Sequence, residues 1–367
     1  MAASHTLSDS LTWSRYRSKK GQNRGQAVLL FVMIKPNLYE PSGYLDMPSI
    51  INSGFPFIFL PAARGTGKTF GTLRYFTIQE EKIMLLRRTQ KEANLQAHSD
   101  SSSYKDVMQD VGHDFKCYMS DGVGRVIDQT AGFTAAVCAA LSTFASVRGM
   151  GYSDIKTIVY DEFIAEPHVK KLKNEGMALA NLYESVDRNR QLNGADPVQL
   201  LCLANSVNMN NDIFMYFDLI THAEEMISNM EEMRIIGNKL LIIPQHSPIS
   251  DRKAQTALYQ AVNDEFTQIA IKNKFILNDF SYVQPRNLQE YRCMYKVGDL
   301  YVFKHKTRHE FYVTYQKGKT KNIYGSGYAA LAKFRRDKWR MVPHYYDGMI
   351  RFESYQCVAL FEKYFDI

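Results

Sequence analysis

The sequence predicts an α/β fold in which a mostly parallel sheet carries a phosphate-binding loop, and three stretches of the chain indicate it. An apolar run at residues 57–60 leads into a turn with two glycines, after which apolar residues recur at helical spacing. Two further apolar runs, at 157–160 and 198–203, each end in polar residues. Strands that alternate with helices form parallel sheets, and the carboxyl ends of such strands are where ligands bind.

A Walker A motif, which is a strand, a glycine-rich turn and a helix in that order, is predicted at residues 57–69. Two glycines let the backbone turn so that its N–H groups converge on phosphate oxygens, and the helix adds its positive N-terminal end. Lys68 is predicted to reach the outer phosphates and Thr69 to hold Mg²⁺. The first glycine of the motif is Ala62 here, and a surface turn rich in Gly and Lys is the alternative. The nucleotide-binding loop is interpreted as residues Ala63, Arg64, Gly65, Thr66, Gly67, Lys68 and Thr69.

The helix after this loop is predicted from the spacing of Phe70, Leu73 and Phe76. The next apolar run, residues 83–86, predicts a buried strand that ends in Arg87 and Arg88. Two arginines at the carboxyl end of such a strand lie on the edge of the sheet where ligands bind.

Paired carboxylates follow the apolar run at 157–160, which is the form of a Walker B motif. Asp161 is predicted to hold the Mg²⁺ shell, and Glu162 to orient and polarise the attacking water. Strands are also predicted at 124–128 and 133–141. The roughly ninety residues between the two Walker motifs leave room for an additional strand between them. That arrangement is typical of the ASCE-type ATPases, which use a catalytic glutamate.

Two features follow the Walker B motif. A helix is predicted with one apolar face formed by Met177, Ala180, Tyr183 and Val186. The strand at 198–203 then ends beside Asn205, which is predicted to sense the γ-phosphate; an ordinary turn asparagine is the alternative.

Composition bounds the class of protein. A chain of 367 residues with 45% hydrophobic and 13% aromatic residues is typical of a globular protein with two domains. No apolar run approaches the roughly 20 residues of a membrane span, and residues 27–34 lack the cleavage site of a signal peptide. Five widely spaced cysteines without a C-x-x-C pair indicate thiols in a reducing cytoplasm. No membrane partner is expected.

The net charge of +7 lies entirely in the C-terminal part of the chain. Residues 225–367 contain 22 basic and 15 acidic side chains, whereas residues 1–224 contain 23 of each. A neutral catalytic part joined to a basic part favours a polyanionic partner, most simply nucleic acid. The alternative is a solvated, slightly basic domain.

Four segments are predicted along the chain. Residues 1–32 are polar and are expected to be a disordered or non-native extension. Residues 33–249 form the P-loop ATPase domain, and 250–278 form a helical linker that begins at Ser250. Residues 279–367 alternate in strand fashion and end in a helix near 354–365, which predicts a small, basic α+β domain. Its acids, Asp299, Asp347 and Glu353, are dispersed and are interpreted as structural, so no nuclease activity is expected.

The order of these motifs resembles the DNA-encapsidation (genome-packaging) ATPases of small short-tailed phages, the phi-twenty-nine-like group of terminase-like P-loop motors. The resemblance covers about residues 33–367, and the N-terminal extension has no counterpart in it. It is carried by A-R-G-T-G-K-T (63–69), L-R-R (86–88), T-I-V-Y-D-E-F-I (157–164), R-N-R (188–190), L-A-N-S-V (203–207) and D-G-M-I-R-F (347–352).

The resemblance implies a homopentameric ring on the portal, or connector, of an empty procapsid, which drives double-stranded DNA inward by hydrolysing ATP. It implies that the C-terminal domain is RNase H-like and has lost nuclease activity, and it leaves open whether a structural packaging RNA takes part. It places the protein in the host cytoplasm, transiently at the portal vertex, and not in the mature virion. In such a ring Arg188 is expected to act in trans on the γ-phosphate of the neighbouring subunit, and Arg148 is the alternative donor.

Two other classes of function remain open from the residues. One is another P-loop enzyme, such as a helicase-like nucleic-acid-dependent ATPase or a nucleotide kinase; Glu162 argues against the kinase. The other is an assembly protein for which the nucleotide is only a switch. Turnover accelerated by DNA or capsid would exclude both the kinase and the switch.

Overall fold

A computed structural model of the chain describes residues 34–120, 122–146, 151–165, 172–205, 209–245, 247–257, 261 and 282–367. The predicted extension at 1–32 lies outside these ranges, and so does most of the predicted linker. Within the described ranges, none of the helices combines the length and the apolar character needed to cross a bilayer.

A nine-stranded mixed sheet forms the larger part of the protein. Its order is β3-β4-β5-β2-β6-β7-β1-β9-β8, in which the six neighbouring strands from β5 to β9 are parallel and β3, β4 and β8 are antiparallel to their partners. The strands are β1 Phe57–Ala62, β2 Ile83–Arg87, β3 Phe115–Ser120, β4 Val123–Asp128, β5 Phe133–Ala140, β6 Thr157–Asp161, β7 Gln199–Asn205, β8 Met233–Ile236 and β9 Lys239–Ile242.

Helices cover both faces of this sheet. Ile58 and Leu60 of β1 belong to one buried cluster and Phe59 belongs to the other, because successive side chains of a strand point to opposite faces. Strands buried on both faces have continuous apolar sequences, and these strands were predicted from such runs. The helices are α1 Met47–Ile51, α2 Lys68–Ile78, α3 Gln90–Gln96, α4 Tyr104–Val111, α5 Glu175–Asp187, α6 Asp212–Tyr216, α7 Ile220–Ser228 and α8 Pro248–Ala254.

The apolar face predicted for α5 is wrong in part. Met177 is 52% exposed, whereas Leu179, Leu182 and Val186 are buried. Both sets of residues satisfy helical spacing, so periodicity alone could not choose between them. The half-buried Tyr183 lies at the margin of the buried face and donates its hydroxyl hydrogen to the Val198 carbonyl at 2.8 Å.

The C-terminal part is a mixed five-stranded sheet with three helices. Its order is β13-β10-β11-β12-β14; the central three strands are antiparallel, and each edge strand is parallel to its neighbour. The last helix begins after Ser354, whose hydroxyl accepts from the Cys357 N–H, close to the predicted start. The elements are β10 Tyr291–Val297, β11 Leu300–His305, β12 Phe311–Thr314, β13 Ile323–Tyr324, β14 Ile350–Phe352, α9 Tyr328–Lys338, α10 Met341–Tyr346 and α11 Tyr355–Phe365.

Helix α11 joins this second sheet to the first. It packs against α6 and α7, and one continuous buried cluster contains residues from both sheets. At the margin of this contact, Lys363 Nζ lies 3.6 Å from Asp212 Oδ1, and Lys173 Nζ lies 2.9 Å from Asp366 Oδ2.

Candidate nucleotide-binding site

The predicted phosphate loop joins β1 to α2. Gly65 and Gly67 have φ angles of 69° and 87°, a left-handed conformation that favours glycine, so both glycines are required by the path of the chain. Gly67 is also the N-cap of α2 and provides no side-chain cap. The first N–H groups of this 11-residue helix are therefore available to bind an anion.

Lys68 is buried at the base of the loop. Its Nζ donates to the carbonyls of Ala62 and Ala63, at 2.9 and 2.8 Å. Burial lowers the pKa of Lys68 to about 7, an effect that the nearby Asp161 carboxylate partly offsets. A polyanion bound at the loop would raise the pKa of Lys68, because it favours the charged ammonium. A charged ammonium that contacts the phosphates is what is expected of a Walker A lysine.

Thr69 and Asp161, the two predicted metal ligands, are in direct contact. Thr69 Oγ1 donates to Asp161 Oδ1 at 3.0 Å, although the two residues are 92 positions apart in the chain. Strand β7 lies between β1 and β6, so the carboxyl ends of these three strands meet at one edge of the sheet. Hydroxyl and carboxylate oxygens are hard ligands of the kind that Mg²⁺ prefers.

Arg87, to which the sequence assigns no specific role, binds both Walker B carboxylates. Its Nη1 donates to Asp161 Oδ2 and its Nη2 to Glu162 Oε2, each at 2.7 Å. The sequence signal for this residue was its position directly after a buried strand, which indicated the ligand edge. The partners could not be predicted because they belong to a different strand.

Arg88 makes a second, deeper ion pair. Its Nε and Nη2 donate to the two oxygens of Glu175, at 2.9 and 3.1 Å, and the Tyr160 hydroxyl donates to the same carboxylate. Burial by itself lowers the pKa of Arg88, but the hydrogen bonds to Glu175 raise it above the usual value. Both arginines are therefore built into the site, one at its surface and one beneath it.

Glu162 and Asn205 complete the pocket. Glu162 has a φ of 58°, which directs it out of β6, and its side chain is 55% exposed. Asn205 is paired with Ala62 at the end of β7, and its Oδ1 lies 3.5 Å from Lys68 Nζ. The pocket has a volume of about 210 Å³ and is lined by Gly65, Thr66, Gly67, Lys68, Thr69, Phe70, Asp161, Glu162, Ala204 and Asn205.

Arg188 lies at the other edge of the sheet. It is the C-cap of α5, whose first residue, Glu175, lies under the site, and the neighbouring Asp187 accepts from the Val198 N–H before β7 begins. The seven residues of β7 separate the two edges by roughly 20 Å. The structure therefore does not bring Arg188 to the phosphate loop of its own subunit. Arg148 lies outside the described residues.

The fold and this pocket define a class of protein. A phosphate loop between strand and helix, a carboxylate pair on a parallel strand and an additional strand between them are the parts of a P-loop ATPase. The Podovirus DNA encapsidation protein (Gp16) family matches residues 33–365. The chain belongs to this family of viral DNA packaging proteins.

Individual relatives and solved structures agree with this assignment. The DNA packaging proteins of Bacillus phage PZA and Bacillus phage phi29 are each 26% identical over 263 residues, which cover 70% of this chain and 71% of the relative. The fold is similar to that in the bacteriophage Phi-29 viral genome packaging motor assembly, with a TM-score of 0.61 at 22% identity, covering 88% and 99% of the two chains. It is also similar to the Phi-28 gp11 DNA packaging motor, with a TM-score of 0.60 at 15% identity, covering 87% and 96%.

Proposed function

We propose that the chain is an ATP-driven motor that moves the double-stranded phage genome through the portal into an empty procapsid. One observation supports the proposal above all. In a member of a DNA encapsidation family, five of the six predicted catalytic and metal-binding side chains, all except Arg188, converge on one pocket at the edge of a parallel sheet: Lys68, Thr69, Asp161, Glu162 and Asn205.

The residues of the pocket fit a nucleoside triphosphate with Mg²⁺. Thr69 and Asp161 would hold the ion, which when bound neutralises charge between the phosphates. Lys68 and the N–H groups of residues 63–69 bind the β- and γ-phosphates, and Asn205 contacts the γ-phosphate from the neighbouring strand. These groups stabilise the negative charge that develops in the transition state as the terminal phosphoryl group is transferred.

Glu162 is the general base in this proposal. Its side chain is 55% exposed, compared with 6% for Asp161 and 11% for Arg87, and so it can reach a water molecule. Its bond to Arg87 makes that arginine a positioning residue, because one guanidinium fixes the distance between Glu162 and Asp161.

Arg188 acts on a neighbouring copy of the chain. Its place at the opposite edge of the sheet supports a role in trans, because the α5 C-terminus faces away from its own phosphate loop. A planar, permanently charged guanidinium suits the γ-phosphate. We infer a homo-oligomeric ring, pentameric by family resemblance, in which each site is completed by the next subunit.

The basic C-terminal domain, residues 279–367, holds the motor against nucleic acid and the portal and performs no chemistry. Between residues 304 and 340 there are eleven Lys and Arg and two acids, and nine of those eleven cations are exposed. In the described ranges no three His, Cys, Asp or Glu side chains gather as a metal site would require, and Glu353 is bonded to Thr314, Tyr315 and Gln316.

A structural packaging RNA is a further candidate partner. The motor works in the host cytoplasm at the portal vertex and leaves before the virion matures.

The proposal is tested by packaging itself. Purified chain, portal-bearing procapsids and duplex DNA are mixed with ATP or with a non-hydrolysable analogue, and the DNA that becomes resistant to nuclease is measured. We expect protection only with ATP, and ATP turnover that DNA and procapsids accelerate. Turnover indifferent to both, with no protected DNA, would contradict the motor.

A further inference from the structure

A short turn before β1 lies against the phosphate loop. An antiparallel bridge joins Tyr39 to Leu45, and Gly43 between them has a φ of 87°. The Leu45 N–H donates to the Thr66 carbonyl at 3.0 Å, so the backbone of the turn is tied to the loop. This bond holds Tyr44, the preceding residue, beside the site.

The ring of Tyr44 covers the loop at its last glycine. A Cβ atom at Gly67 would lie 3.2 Å from Tyr44 Cδ1, so ring and backbone are already in close contact. The tyrosine is nevertheless 42% exposed. An aromatic side chain is therefore fixed at the phosphate loop with part of its surface in water.

A second aromatic ring, that of Phe70, lines the pocket itself. Phe70 is at helical spacing from Leu73 and Phe76. Those two are buried, but Phe70 is 42% exposed and lines the pocket. Leaving the apolar ring of Phe70 in water is unfavourable. A ligand that covers the ring would therefore explain why it is exposed in the free protein.

The topology of the sheet indicates which part of a bound nucleotide would reach Tyr44. Strands β7 and β6, which carry Asn205 and the Walker B carboxylates, lie on one side of β1, and β9 and β8 lie on the other. The turn belongs to the second side. The Tyr39 hydroxyl donates to Glu232 at 3.2 Å just before β8, and a Cβ at Gly43 would lie 3.1 Å from Pro248 Cβ after β9. A nucleotide whose terminal phosphate faces Glu162 therefore extends its sugar and base toward Tyr44.

We propose that Tyr44 binds the base of the nucleotide by stacking on its face, with Phe70 as a second wall. The proposal rests on the nucleotide-binding function proposed above and adds how the base is held. Every base has a π-face, so stacking is tolerant of base identity. The contribution of Tyr44 is therefore the same for adenine and guanine nucleotides and absent for a ligand without a base.

The test uses the full chain and compares KM and kcat for ATP and GTP with inhibition by inorganic tripolyphosphate. For Tyr44→Ala we expect KM to rise for ATP and GTP by the same factor, roughly 5- to 150-fold. Turnover at saturation and the inhibition constant of tripolyphosphate stay as in the wild type. Tyr44→Phe keeps the ring and restores KM. Tyr118→Ala, at a tyrosine 41% exposed on edge strand β3, is the matched control and changes neither constant.

Three results would overturn the stacking site. These are a KM unchanged in Tyr44→Ala, a fall in kcat alone, or an equal loss of tripolyphosphate binding, which would make Tyr44 a support of the loop. If Tyr44→Ala does not fold, the fluorescence of etheno-ATP is measured as it binds to wild-type protein. Stacking quenches the fluorescence of that base, so binding without quenching would contradict the proposal. Wild-type protein that neither binds nor hydrolyses ATP would instead contradict the proposed function.

Discussion

Two groups of basic side chains in this protein are held in opposite ways. At the nucleotide site Lys68, Arg87 and Arg88 are buried, and each is bonded to named carbonyls or carboxylates. Between residues 304 and 340 nine of eleven basic side chains are exposed. Buried charges need matched partners and so have one geometry, whereas exposed charges act through a diffuse, salt-screened field. The two groups therefore differ in burial more than in residue type, and we propose different roles for them.

Arg188 offers the strongest way to break this comparison, because it is exposed in its own subunit and yet is assigned to catalysis. Arg188→Ala should lower ATP turnover by roughly 10³–10⁵, the range for an arginine finger. Steady-state hydrolysis with DNA and procapsids measures it. Because Arg188 is proposed to act on the next subunit, mixing Arg188→Ala with Glu162→Gln subunits should restore partial activity. Mixed rings that are shown to assemble and stay inactive would contradict action in trans.

The buried side of the comparison is sharpened by separating binding from hydrolysis. Glu162→Gln should bind ATP and hydrolyse it roughly 10²–10⁴ times more slowly, because a general base is lost while the phosphate contacts remain. Lys68→Ala should lose both affinity and turnover, since its ammonium meets the phosphates directly. Equilibrium binding and single-turnover hydrolysis distinguish the two variants. Near-normal hydrolysis by Glu162→Gln would remove its assignment as the base.

A matched pair of arginine substitutions compares the two environments by stability. Arg88→Ala leaves Glu175 charged and buried, so the free energy of unfolding should fall by about 3–5 kcal/mol. Arg336→Ala, whose side chain is 77% exposed, should change it by no more than about 0.5 kcal/mol. Urea unfolding of both full-length variants measures the difference. Equal losses would show that the Arg88 pair is not the buried support described above.

The smallest effect is expected in the salt dependence of DNA binding. Replacing Lys317, Lys319 and Lys321 by Ala should reduce the slope of log K against log salt by about one for each lysine that contacts a phosphate. The control removes the same charge from the ATPase part, at the exposed Lys105, Lys116 and Lys156. If both triple variants change the slope equally, the C-terminal lysines form no specific nucleic-acid surface.

Sequence patterns predicted the parts of the fold that depend on neighbouring residues. The buried strands, the glycine turn before α2 and the last helix were all confirmed, because burial on both faces, left-handed glycines and Ser354 capping leave local signals. Strand β3 was missed, since its residues are half-exposed at an edge and show no buried run. The face of α5 was wrong for a similar reason: two residue sets fit one period.

The site divides in the same way. Lys68, Thr69, Asp161, Glu162 and Asn205 could be named from the sequence because each follows a predicted strand, and parallel strands end at one edge. The roles predicted for them stay predictions. The partners of Arg87 and Arg88 could not be named, because strand order is set by packing over the whole sheet.

By itself, then, the sequence determined that a phosphate loop and a carboxylate pair share one sheet edge, since chain order and glycine conformation are local properties. Only the tertiary structure decided that Arg188 faces away from its own site, that Arg87 links two carboxylates and that Tyr44 rests on Gly67. These are contacts between residues far apart in the chain. They depend on which strands become neighbours, and that choice is made by burying apolar surface throughout the domain.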